Sequence, residues 1–129
     1  MKSAFSLLEL IFAIVIIGII STFAIPKYLN TRNQALASTI QRDVISTINS
    51  IQSYYLINRK IDNLSDVITL NSKNWNIENT KMTFIEDENK CLELSIIDKK
   101  ISLTVVEDAG AVCSELINRG IVTQEIDLI

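Results

Sequence analysis

Glu9 is a single carboxylate in a segment, Leu7-Leu8-Glu9-Leu10 and on through Ile11 to Ile25, that carries no other charge before Pro26. A charge near a bilayer centre costs on the order of 2.5–3.5 kcal/mol on insertion scales. It is tolerated when an opposite charge meets it. Cys91 and Cys113 are a second pair with chemistry available to them, as a disulfide or as two buried thiols. A metal site is remote, because the chain has no histidine and no further cysteine at ligand spacing. The acidic run Glu86-Asp87-Glu88 reads either as calcium ligands or as a solvated hairpin tip. It lacks the alternating carboxylates and turn glycine of a calcium loop, so the tip is the reading adopted. Without histidine the commonest general base is missing, and Gly18, Gly110 and Gly120 form no phosphate-cradling loop. The expectation is a structural protein with no catalytic residues, no metal and no cofactor.

The elements that position these residues follow from the patterning. Residues 10–25 are uncharged, and Phe5 to Leu8 extend the apolar length towards the ~20 residues that span a bilayer. Beyond Pro26, apolar residues Leu29, Leu36, Ile40, Val44, Ile48, Ile51 and Tyr55 recur at helical spacing, with Arg32, Asn33, Gln41, Arg42, Asn49 and Ser53 opposite. One helix is therefore predicted from near residue 5 to near residue 57, kinked or locally melted at Pro26, which removes a backbone donor. Asn58 to Thr80 is rich in Asn, Asp and Ser and reads as a connection, with a short helix after Ser65 as its N-cap. Alternating residues predict strands at Lys81 to Ile85, Cys91 to Ile97 and Ile101 to Glu107, joined by short polar turns as an antiparallel meander. The fold class is α+β, a long helix laid on a small antiparallel sheet. About 100 residues beyond the apolar segment suffice for one small domain. Twelve Lys and Arg are scattered along a chain of net charge -3 and pI near 4.9, so strong direct nucleic-acid binding is not expected.

The order Lys2, Ala4, Phe5, Ser6, Leu7, Leu8 and Glu9, with Pro26 further on, resembles the class III leader of type IV pilins and type II secretion pseudopilins. The match covers roughly the first thirty residues. It departs from the family at Ala4, where glycine is usual before the cut. The resemblance implies a leader of residues 1–4, a membrane and filament-core helix over 5–25, an amphipathic helical half over 26–57, and an extracytoplasmic part over 58–129. It implies cleavage between Ala4 and Phe5 by a prepilin peptidase that also N-methylates Phe5, a helix kink at Pro26, and assembly through Glu9 and the Phe5 amine. Partners would be other pilin or pseudopilin subunits, an inner-membrane assembly platform and, before assembly, membrane lipid. The chain would be single-pass in a bacterial inner membrane, with its C-terminal part in the periplasm or at the cell surface. Orientation rests mainly on this resemblance, since Lys2 lies before the apolar run while Lys27 and Arg32 follow it. In that oxidising compartment Cys91 and Cys113 are expected to bridge, as pilins bridge their C-terminal loop.

Function is thus expected to be that of a subunit of a type II secretion or competence pseudopilus, with a type IV pilus pilin as the alternative. A third reading, from another class, is a membrane-anchored extracytoplasmic binding module that never polymerises. Two plainer accounts compete for the N-terminus. One is a conventional signal peptide cut after Ala24, since Thr22-Phe23-Ala24 loosely fits the small-x-small rule. The other is a simple anchor, which leaves Glu9 without a reason.

Overall fold

The computed structural model describes residues 6–128. The chain forms one long helix, α1 (Leu7–Asn58), a short 3₁₀ turn (Leu64–Asp66), strands β1 (Trp75–Glu78), β2 (Lys81–Glu86), β3 (Asn89–Ile97) and β4 (Lys100–Val105), helix α2 (Ala111–Asn118) and strand β5 (Gln124–Asp127). The five strands form one antiparallel sheet in the order β1-β2-β3-β4-β5. This is an α+β arrangement in which a long N-terminal helix packs on a small sheet. The chain divides after Arg32 into two compact units.

In the second unit, α1 presents Ala37, Ile40, Val44, Thr47, Ile51 and Tyr55 as its buried face. Their spacings of 3 and 4 residues keep one stripe in register with 3.6 residues per turn. The stripe meets Trp75, Met82, Phe84, Leu92, Leu94, Ile101, Leu103 and Val105 of the sheet. Burying each of the large aliphatic side chains contributes about 1.5–3 kcal/mol. The centre of the stripe differs slightly from the sequence expectation. Leu36 and Ile48 are only partly buried, while small Ala37 and polar Thr47 lie at the contact line. Thr47 is accommodated because its hydroxyl donates to the Asp43 carbonyl at 2.6 Å. Leu29 is 48% exposed and lies in the first unit, outside this face.

Tight turns set the meander. Asp87 and Glu88 join β2 to β3, Asp98 and Lys99 join β3 to β4, and all four have positive φ. That pair of left-handed residues is the type I′ geometry whose twist matches the flanking strands. Between Phe84 and Ile85 the β2–β3 register slips by one, so that Cys91 has no partner residue in β2. The bulge breaks the alternation and allows Cys91 and Leu92, neighbours in sequence, both to face inward.

Four elements depart from the sequence expectation. Strand β1 forms inside the stretch read as a connection, and α2 and β5 form in a C-terminal region for which no element was expected. The short helical turn is 3₁₀ and starts two residues early, with Asn63 rather than Ser65 at its N-cap and no side-chain cap bond. Helix α2 closes with Gly120 at φ 93°, where Ile121 N–H bonds the Leu116 carbonyl and Gly120 N–H the Ile117 carbonyl. This is a Schellman ending, which glycine adopts without the Cβ penalty.

Candidate functional site

The first unit consists of the helix from Leu7 as far as Arg32. Its 18-residue apolar window has a mean hydropathy of 2.6 and no residue buried within the protein. Leu7, Phe12, Ile17 and Phe23 are representative, each at least 60% exposed. Twenty residues of helix span about 30 Å, the thickness of a hydrocarbon core. An apolar surface of this extent on every side of a helix requires lipid or protein around it. It is one helix long and apolar enough to cross a membrane.

Within it the hydroxyls are satisfied locally. Ser21 Oγ donates to the Ile17 carbonyl and Thr22 Oγ1 to the Ile19 carbonyl, each at 2.7 Å. Such internal bonds remove the cost of an unpaired hydroxyl in an apolar medium. Helix α1 continues through Pro26 without a break. The ring leaves the Thr22 carbonyl without its usual amide donor, which marks this turn as the place where the helix bends most cheaply.

Glu9 is exposed in the first turn of α1. Its backbone N–H donates to Ser6 Oγ at 3.1 Å, so Ser6 acts as N-cap. The carboxylate therefore sits where the positive end of the helix dipole favours it, worth roughly 0.3–1 kcal/mol at an exposed site. This cap was legible as the Ser6-x-x-Glu9 pattern and was not anticipated. Ala4 and Phe5, the expected cleavage and methylation positions, lie outside the described residues.

In the second unit the two cysteines meet. Cys91 and Cys113 form a disulfide with Cα atoms 5.7 Å apart, joining the β3 bulge to the first turns of α2. Both residues are fully buried. Glu86 is not part of a solvated tip. From the end of β2 its two carboxylate oxygens accept the Val112 and Cys113 amides at 2.9 and 3.0 Å, capping α2 from a distant strand. The remaining turn residues Asp87 and Glu88 are exposed as expected. Among the described residues no three acidic, cysteine or histidine groups converge as a metal set.

Two further ties hold α1 to this region. Trp75 Nε1 donates to the Asp43 carboxylate at 2.9 Å. Arg119, just after α2, donates to Glu115, to Ser38 Oγ at 2.6 Å, and to Gln41 and the Gln34 carbonyl. Neither was foreseeable, because the partners are 32 and about 80 residues apart in sequence. On the opposite face of the sheet Glu93 is held below the usual carboxylate range by its bond to Lys81 and then by Lys90. Lys81 is raised in turn by Glu93. Glu93 is half-buried but both lysines reach solvent, and surface pairs of this kind contribute little to stability.

Gly110 precedes α2, and a Cβ there would overlap the Glu86 carboxylate, with both oxygens at 2.6 Å. Its φ of 165° is extended and suits any residue, so the conflict lies with the cap and not the backbone. Gly110→Ala is expected to displace Glu86 and cost about 1–2 kcal/mol, the worth of a cap. The check is the urea midpoint at constant slope. In a Glu86→Ala chain the same substitution should cost far less, because the cap is already gone. Equal costs in both backgrounds would refute the capping role.

Comparison with protein-family models, with curated proteins and with solved structures finds no match to this chain.

Proposed function

We propose that this chain is a structural, pilin-like subunit that assembles through its N-terminal helix into a pseudopilus of the type II secretion or competence kind. The observation that carries this reading is the lone carboxylate of Glu9 in the first turn of a helix otherwise uncharged up to Lys27 and exposed all round. Cutting after Ala4 gives Phe5 a positive amine, one helical turn from Glu9. When two such helices lie side by side, the Phe5 amine of one subunit neutralises the Glu9 of its neighbour, and both charges lose their cost together. The pair sets the register of helices whose apolar faces have no other means of fixing it. The α+β arrangement of helix and antiparallel sheet supports the same reading. Prepilin peptidase, sibling subunits and an inner-membrane assembly platform are the partners this implies, and no catalysis is assigned to the chain.

A type IV pilus pilin is the second reading, favoured by the Cys91–Cys113 disulfide, which closes the region around α2.

Processing tests the proposal. Mass spectrometry of the protein from its native membrane should show a chain that begins at Phe5 and carries one methyl group on its amine. A chain beginning at Ile25 would mean a conventional signal peptide, with Glu9 discarded before any assembly.

A further inference from the structure

The meander carries an acidic turn at one end and, at the other, a groove with a basic rim set beside the carboxylates Asp62, Glu78 and Asp127. At one end the Asp87-Glu88 turn lies beside the loop carrying Glu107 and Asp108, because Glu86 bonds the start of α2 there. All four carboxylates are exposed, and among the described residues none has a cation within ion-pair distance. The other end lies roughly 26 Å away, the rise of β3 at about 3.3 Å per residue. There the end of α1 and the β1–β2 and β3–β4 turns enclose a groove of about 300 Å³. Tyr55, Ile96 and Leu128 form its apolar floor, and exposed Arg59, Lys60 and Lys99 rim it, with Asp98 as the one carboxylate among the described residues of its lining. Arg59 and Lys99 have no carboxylate partner among the described residues, and Lys60 meets only the exposed Asp62 at 3.5 Å.

The geometry points to a head-to-tail contact between copies of this chain, in which the groove of one receives the Asp87-Glu88 turn of the next. The turn is a tight two-residue tip of opposite charge, narrow enough to enter where a flat surface would not. Because groove and tip lie at opposite ends, each copy engages two neighbours through two different patches. Such a heterologous contact propagates without closing unless its rotation happens to form a ring. Charge complementarity of this kind supplies register and speeds encounter, and it weakens with salt. The inference rests on the filament reading and adds a contact outside the apolar helix.

Two charge-reversed full-length chains test it, one Arg59→Glu with Lys99→Glu, the other Asp87→Lys with Glu88→Lys. Concentration-dependent sedimentation in mild detergent is the readout. Each reversed chain alone should need on the order of tenfold or more protein to assemble as the parent does. An equimolar mixture of the two should return towards the parent, since every groove then finds a turn of opposite charge, and this recovery also shows that both variants are folded. If either reversed chain assembles like the parent, or the mixture stays as poor as its components, this contact is overturned while the filament reading stands. A parent chain that stays monomeric throughout overturns the filament reading and this contact with it.

Discussion

Glu9→Val is expected to leave the chain processed and stable in the membrane while its assembly falls sharply. The magnitudes separate the roles a carboxylate can have at this position. As a helix-terminus charge it is worth roughly 0.3–1 kcal/mol. The Ser6 cap uses the Glu9 backbone amide and survives the substitution. As an unpaired charge in the bilayer it is a burden of on the order of 2.5–3.5 kcal/mol, so valine should insert at least as well. As the partner of a neighbour's Phe5 amine its loss strands that amine, and breaking one side of a buried pair costs about 3–5 kcal/mol. Only the last role predicts good insertion with poor assembly. Filament yield, or secretion or transformation in the host, measures it. A Glu9→Val chain that assembles and functions like the parent would make Glu9 a tolerated passenger and its segment a plain anchor.

Replacing both Cys91 and Cys113 by alanine is expected to lower stability by about 3 kcal/mol, because the bridge closes a loop of 22 residues. For a domain of this size each kcal/mol moves the melting temperature by roughly 4–8 °C, so a fall of about 12–24 °C is expected. The bridge joins the β3 bulge to α2, and α2 is held otherwise by Val112 and Leu116 in the core, the Glu86 cap and the Arg119 bonds. Loss should therefore appear first as amide exchange in α2 and the following residues, before β2 and β3 open. Thermal melts of the full chain, with exchange resolved by segment, provide the measurement. An unchanged melting temperature would show that α2 is held by its packing alone.

Much of the fold was legible because it obeys local periodicity. The amphipathic stretch from Leu36 to Tyr55 repeats at 3.6 residues, and the strands around Leu94 and Leu103 alternate, so each element declares its buried face. Strand β1 was not legible. Its four residues alternate Trp75 and Ile77 with Asn76 and Glu78, but they sit in a polar stretch and gain their place only by pairing with β2 and by the Trp75 to Asp43 bond. Edge strand β5 is equally short and depends on the backbone of β4. Helix α2, at eight residues, is below the length at which propensity alone sustains a helix, so its existence depends on contacts.

For the candidate site the division is similar. Sequence alone determined that the chain carries an apolar helix with one acid, because uncharged length and a lone Glu9 are properties of consecutive residues. It also placed two cysteines in a small domain where a bridge was expected. Only the tertiary structure decided that Cys91 turns inward through a bulge, that Glu86 leaves the acidic run to cap α2, and that Arg59 and Lys99 gather at the end of the sheet opposite Asp87 and Glu88. Those outcomes depend on strand register and on groups tens of residues apart. No window of consecutive residues contains that information, since it arises only when the sheet closes over α1.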